Sequence, residues 1–284
     1  NSGDFRFTSN FPVDFGWAKL YAGGGDWWTS ARLIQGREVK TNNSDAEQAG
    51  TNKQFGSNVA WHAPNAGDTY ISHMWKRGAG FDVVTWSGEN VHPGVIPHSL
   101  GKVPEMMWIR ARSGSDWEVY HKGLNGGSSP EGYAIKLNES DAEGAFGSTR
   151  WASTAPTSTH FTVSKNAFNA SGENYIGMLF ASVDGISKCG YYTGTGVSGN
   201  NTVTTGFAPR FVIIKNTSRA STSWVVLDTT RGWTSGNDKS LELNTSDAEE
   251  TYDYADPTST GFTLVETGNW TNRANDKYIY YAHA

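Results

Sequence analysis

The chain has 284 residues, a net charge of −5 and a charged fraction of 18%, so it offers no basic field for nucleic acid or an acidic membrane surface. Its 37% hydrophobic content belongs to a packed protein rather than a disordered one, and no apolar run reaches the ~18 residues of a membrane-spanning helix. A single cysteine, Cys189, excludes an internal disulfide framework and a cysteine metal cluster, while 12 Trp, 12 Tyr and 13 Phe amid abundant Gly, Ser, Thr and Asn favour an all-β surface protein.

In chain order, residues 1–5 show no charged n-region or apolar stretch of a signal peptide, and the missing Met suggests a fragment or a processed chain. A short opening strand is expected at 4–8, unless that strand has been lost. Four markers then follow: Trp17-Ala-Lys19, Asp26-Trp27-Trp28, Ser-Asp-Ala-Glu at 44–47 after Asn43, and Trp61 ahead of Tyr70-Ile71. They return in the same order as Trp108-Ile-Arg110, Asp116-Trp117-Glu118, Ser-Asp-Ala-Glu at 140–143 after Asn138, and Phe168 ahead of Tyr175-Ile176. A third set reads Ile213-Ile-Lys215, Ser223-Trp224-Val225, Ser-Asp-Ala-Glu at 246–249 after Asn244, and Trp270 ahead of Tyr278-Ile279. The tetrapeptides lie 96 and 106 residues apart and the Tyr-Ile pairs 105 and 103 apart. Ordered markers at matching intervals predict three tandem units, at 1–78 (shortened), 79–184 and 185–284. Each full unit is long enough to bury its own core, and the short junctions at 76–80 and 182–185 predict that neighbours touch.

Within a unit the apolar runs are short and β-branched or aromatic. They fall at 81–86, 189–193, 211–215, 223–227, 261–265 and 277–282, bounded by Gly, Asn, Ser and Thr. Residues 246–250 could form one capped helical turn, with no helical period beyond it. The G-x-G-x-x-G string at 194–199 is followed by strand or loop text, so it predicts a turn rather than a dinucleotide site. The expected fold is all-β: three tandem β-sandwich repeats, jelly-roll or lectin-like.

No G-x-S-x-G or H-E-x-x-H string occurs, and the seven His, at 62, 73, 92, 98, 121, 160 and 283, have no metal-like spacing. The three Ser-Asp-Ala-Glu copies group oxygens that could suit calcium, but no Asp-x-Asp-x-Asp loop supports it; a structural turn is the simpler reading, and no cofactor is expected. Trp27, Trp117 and Trp224 recur at one place in every copy, as architecture alone requires, and so do Trp61, Phe168 and Trp270. Residues that break the repeat are better ligand candidates: Arg150 and Trp151 in the second unit, and Trp233, Tyr252, Asp253 and Tyr254 in the third. Aromatic faces beside Arg and Asp are what sugar binding needs. The carboxylate pairs Asp116/Glu118 and Asp253/Asp256 are the alternative, a glycosidase dyad.

The strings Pro-Glu-Met-Met-Trp-Ile-Arg at 104–110, Phe-Val-Ile-Ile-Lys at 211–215, the Trp strand, Asn-x-Ser-Asp-Ala-Glu, Phe-Thr-Leu and the closing Tyr-Ile-Tyr-Tyr-Ala resemble a tandem repeat of marine bacteriophage tail-fibre-like and virion proteins. The resemblance covers nearly the whole chain. It departs from the family at Ser-Asp-Ala-Glu, where many copies carry Thr-Ala-Ala-Glu-like text, and it supplies no catalytic or ligand residues. It implies a non-enzymatic β-sandwich module on the outside of a virion, binding a host surface glycan or receptor and other virion proteins, without nucleic acid or membrane insertion. A homotrimer, common among phage fibres, would fit that role. The alternatives are a purely structural decoration or assembly module and a polysaccharide-degrading enzyme.

Overall fold

The computed structural model describes residues 7–50, 55, 60–61 and 69–284. Residues 4–6 of the expected opening strand, and His62, lie outside the described residues. The described chain is all-β apart from short 3-10 turns, and none of its helices is long and apolar enough to cross a membrane.

The first segment contributes β1 (Phe7–Thr8), β2 (Phe15–Leu20), β3 (Trp28–Ala31), β4 (Arg37–Lys40), β5 (Gln48–Ala49), β6 (Ala60–Trp61) and β7 (Tyr70–Trp75). The second contributes β8 (Phe81–Ser87), β9 (Gly94–Pro97), β10 (Met106–Ala111), β11 (Glu118–His121), β12 (Tyr133–Lys136), β13 (Gly144–Ala145), β14 (His160–Val163) and β15 (Asn174–Phe180). From the third come β16 (Ser187–Thr193), β17 (Asn201–Thr204), β18 (Phe211–Asn216), β19 (Val225–Asp228), β20 (Asp238–Glu242), β21 (Glu250–Tyr252), β22 (Ala255–Thr258), β23 (Gly261–Leu264) and β24 (Lys277–His283).

Three large antiparallel sheets result, ordered β5-β4-β3-β2-β7, β13-β12-β11-β10-β15-β8 and β21-β20-β19-β18-β24-β16. A small sheet accompanies each: β1-β6, β9-β14 and β17-β23-β22. Phe7–Thr8 therefore pairs with Ala60–Trp61 in a small sheet and is not an outer strand of the large one.

Why residues 106–109 of β10 and 211–214 of β18 read as unbroken apolar runs follows from packing: every residue of both strands is buried, so neither face alternates with polar residues over those stretches. Successive side chains point to opposite faces. Met107, Ile109, Val212 and Ile214 enter outer cores belonging to the second and third segments. Val13, Ala18, Phe55 and Trp61 form a smaller outer core in the first. The opposite faces, through Trp17, Met106, Trp108, Phe211 and Ile213, converge on one cluster shared by all three segments. There Trp17 stacks on Trp108 with centroids 5.4 Å apart, Trp75 meets Phe211 and Phe180, and Phe180 meets Tyr281 at 5.0 Å. Burying each such ring contributes roughly 1.5–3 kcal/mol, so the centre couples the segments strongly. Cys189 sits in it, and burial pushes its thiol pKa up.

Residues 246–249 are not helical, contrary to the capped-turn expectation. Their backbone is drawn instead toward a neighbouring sheet. The glycine-rich stretch at 194–199 is a turn between β16 and β17, with Gly196 and Gly199 at positive φ where side chains are strained.

Candidate functional site

The six residues singled out as ligand candidates separate into two kinds. Trp151, Trp233 and Tyr254 are buried, which corrects their assignment to ligand-facing loops. Trp151 donates its indole N–H to Tyr133 O at 2.7 Å and stacks on Phe168. Trp233 donates to Ala255 O at 2.5 Å and packs against Phe262. Tyr254 lies in the same outer core, where burial raises its phenol pKa. All three turn inward because the small sheets need large side chains to seal their cores, leaving no ring face for a sugar.

Tyr252, Asp253 and Arg150 keep access to solvent. Tyr252 is 49% exposed at the outer edge of the third large sheet, its ring 4.7 Å from that of Tyr254. The Asp253 carboxyl has its pKa raised by burial and by Asp256. Arg150 lies with its guanidinium 4.2 Å over the Phe146 ring and its Nε 3.1 Å from Glu118 Oε1. Two grooves meet at Arg150. One, of about 510 Å³, is lined by Lys136, Asp141 and Phe146. The other, of about 210 Å³, is lined by Asp116, Glu118 and Asn166. Both are built from the second segment, so the structure does not bring Arg150 together with Tyr252 in one groove.

Charge in these grooves is largely committed. Asp116 accepts from Asn138 at 2.9 Å and lies 2.8 Å from Lys136 Nζ. Burial works to raise its pKa, but the Lys136 and Asn138 hydrogen bonds bring it below the ordinary value. For Glu118 burial wins over Arg150, and its pKa is raised. What remains at Arg150 is a guanidinium stacked on an aromatic ring and flanked by donors and acceptors, chemistry suited to a polyhydroxylated ligand.

The sequence markers themselves do different work. Trp27 Nε1 donates to Glu242 O at 2.7 Å, Trp117 Nε1 to Lys40 O at 2.7 Å and Trp224 Nε1 to Lys136 O at 2.9 Å. These bonds run from the first segment to the third, from the second to the first and from the third to the second. The Ser-Asp-Ala-Glu segments cross the same three junctions in the opposite sense: the backbone N–H of Glu47, Glu143 and Glu249 donates to Arg112 O, Thr217 O and Tyr21 O. Buried cations complete each clasp. Lys19 Nζ reaches Thr245 O, the Arg110 guanidinium reaches Asn43 O and Asp45 O, and Lys215 Nζ reaches Ser140 O.

Two of the carboxylates considered for calcium are engaged by protein groups, Glu47 by Arg112 and Glu249 by Arg231. No group of three His, Cys, Asp or Glu able to hold a metal occurs among the described residues. Asn42, not Asn43, plays the part of Asn138 and Asn244; each accepts through its side-chain oxygen from the backbone N–H of the preceding Trp27, Trp117 or Trp224.

One further place was not legible in the sequence. A groove of about 320 Å³ runs beside β7, lined by Ile71, Ser72 and His73 on one side and Arg210, Asp228 and Thr230 on the other. His73 Nδ1 accepts from Trp17 Nε1 at 2.8 Å, and its Nε2 lies 3.5 Å from Asp228 Oδ2. A lone His with no repeated spacing gave no signal for this.

Together these features define an all-β protein of several antiparallel sheets, consistent with a β-sandwich, whose large sheets share a central core. The chain belongs to the family "Domain of unknown function (DUF7483)", which matches residues 7–284. Neither a curated protein nor a solved structure matches it.

Proposed function

We propose that the chain is one β-sandwich unit written three times and closed into a ring, serving as a phage virion, tail-fibre-like module that binds a host surface glycan. The three large sheets share one strand order once β8 and β16 are set aside, and three equivalent sets of bonds link them head to tail. This supports the repeat reading and explains why the shared markers are buried. Internal repetition gives one polypeptide the closure that a homotrimer reaches with three chains. Recognition then falls to residues that differ between copies and stay exposed.

The observation that carries the binding reading is Arg150 lying over Phe146 between two grooves with polar walls. With Arg150 lying over the Phe146 ring, a sugar would meet the guanidinium of that stack, its hydroxyls bonding Arg150 and Asp141 in the larger groove or Arg150 and Asn166 in the smaller. The test is titration of the purified chain with host capsule and lipopolysaccharide fragments, alongside Phe146→Ala and Arg150→Ala. Saturable binding weakened about tenfold or more by either substitution is expected, since a hydrogen bond to a charged group contributes roughly 1.5–3 kcal/mol. Absence of binding to any host envelope glycan would overturn it.

The second reading, a decoration or assembly module, is favoured by the groove beside β7. It predicts that Arg150→Ala leaves adsorption unchanged.

A further inference from the structure

Asp26 lies against Lys40, Asp116 against Lys136 and Asp276 against Arg219. One corner of the third segment departs from that pairing. Asp238 opens β20, Asp253 lies in the link from β21 to β22, and Asp256 is the second residue of β22. The cations nearest in sequence are taken by other acids, Arg231 by Asp228 and Glu249, and Lys239 by Glu249. Among the described residues no Lys, Arg or His pairs with any of the three. Nor does shared architecture call for them. The registers Glu118↔Lys136 and Tyr133↔Ala145, set against Val225↔Glu242 and Lys239↔Thr251, put Gly132 and Gly147 of the second segment where the third has Asp238 and Asp253.

Asp238 is fully buried. Its Oδ2 accepts from the N–H of Tyr254 at 2.8 Å and of Ala255 at 3.1 Å. These are the two residues after Asp253, so the Asp238 carboxyl is held against that link. Its other oxygen, Oδ1, is buried without a hydrogen-bond partner, and so is Asp253 Oδ1. Asp256 accepts from Gly236 N–H at 3.2 Å, which ties the loop before β20 to β22. Burial and the Asp253 charge raise the Asp238 pKa to about 6, against the pull of the Ala255, Tyr254 and Thr234 amides. Burial and Asp256 raise that of Asp253. At neutral pH a group titrating near 6 is mostly ionised, so a proton does not supply the counter-charge. Two buried, unpaired carboxylate oxygens side by side are costly unless a cation meets them.

We propose that this corner binds a calcium ion through Asp238 Oδ1 and Asp253 Oδ1. The donors are all oxygen, with no His or Cys among them, which selects a hard cation. No three acidic or histidine side chains converge here, so two carboxylates supply the charge, and main-chain oxygens and water complete the shell. Calcium accepts such an irregular shell, whereas magnesium demands a near-ideal octahedron. The ion would neutralise the paired carboxylates and fasten the β21–β22 link to the start of β20, beside the exposed Tyr252. The inference stands apart from the glycan reading.

The probe is calcium chloride, titrated into the metal-free full chain and followed by calorimetry and amide hydrogen exchange. Saturable binding is expected, with a Kd of about 10⁻⁴–10⁻³ M as few charged ligands give, and with slowed exchange confined to residues 234–238 and 252–256. Asp253→Asn should bind at least about tenfold more weakly. Without calcium that variant should unfold no earlier than wild type, because a like charge has gone, so its lost binding would not reflect lost folding. No saturable calcium binding overturns the site, as does an affinity unchanged by Asp253→Asn. Protection at 44–47, 140–143 or 246–249 instead would place the ion on the Ser-Asp-Ala-Glu segments and overturn it too. Magnesium binding as tightly as calcium would overturn the choice of ion. None of these outcomes bears on the Arg150 grooves.

Discussion

Lys19, Arg110 and Lys215 are fully buried, yet each is a strand-end cation on the face turned toward the shared core. Burial brings Lys19 down to about 8, Arg110 to about 10 and Lys215 to about 7, while Asp247, Asp45 and Asp141 of the clasping segments pull the other way. For Lys215 the folded value lies below the ordinary 10.5, so between those values the unfolded chain binds more protons. Stability must then rise as pH increases from about 7, by up to about 1.4 kcal/mol per pH unit for one such group. Thermal unfolding midpoints between pH 6.5 and 9 test this, with Lys215→Met expected to flatten the rise; a wild-type midpoint that falls across that range contradicts it. Asn138 offers a second check. It accepts from Trp117 N at 2.8 Å and donates to Asp116 at 2.9 Å, so Asn138→Ala should cost about 1–3 kcal/mol in urea unfolding. The markers were visible as strings, but a string cannot show that a neighbouring segment supplies the partner. The doublet Asn42-Asn43 likewise gave no sign of which residue turns inward.

Strands were the most legible elements. The runs expected at 211–215 and 277–282 are β18 and β24, because β-branched and aromatic stretches between turn residues have few other uses. The clasp at 246–249 was less legible: its Ser and Glu spacing suits a capping box, but Glu249 N–H finds Tyr21 O instead. Inward-turned Trp151 and Trp233 were misplaced for a similar reason, since a Trp among turn residues reads alike whether it seals a core or faces solvent. At this scale the link between β11 and β24 makes a pH prediction. His121 accepts from Gly123 N–H through Nδ1 and meets Tyr280 O through Nε2 at 3.2 Å. Burial holds its pKa down to about 3. The folded state keeps it neutral, so its contribution is complete above about pH 6.5 and is lost as pH falls from there toward 3. His121→Gln should shift the acid-unfolding midpoint, followed by near-ultraviolet circular dichroism, to lower pH; an unchanged or higher midpoint would contradict this.

Across the whole molecule, the intervals between markers disclosed three stretches of similar text, and a single family spans all of them. Less apparent was that outer cores belong to single segments while a larger core belongs to all three. The hint lay in unbroken apolar runs such as 106–109 and 211–214, which need burial on both faces, but sheet order was required to say against what. A segment expressed alone would expose Met106, Trp108, Val119, Ile135 and Met178. Residues 79–184 by themselves should therefore bind hydrophobic dyes and lack sharp near-ultraviolet dichroism, despite being long enough for a domain.

Hydrogen exchange of the intact chain through a urea series, read on peptides from β2, β10 and β18, tests the shared core most directly. Coincident loss of protection at one urea concentration is the predicted result. Three separated transitions, one per segment, would show that each large sheet stands without its neighbours and would contradict the account.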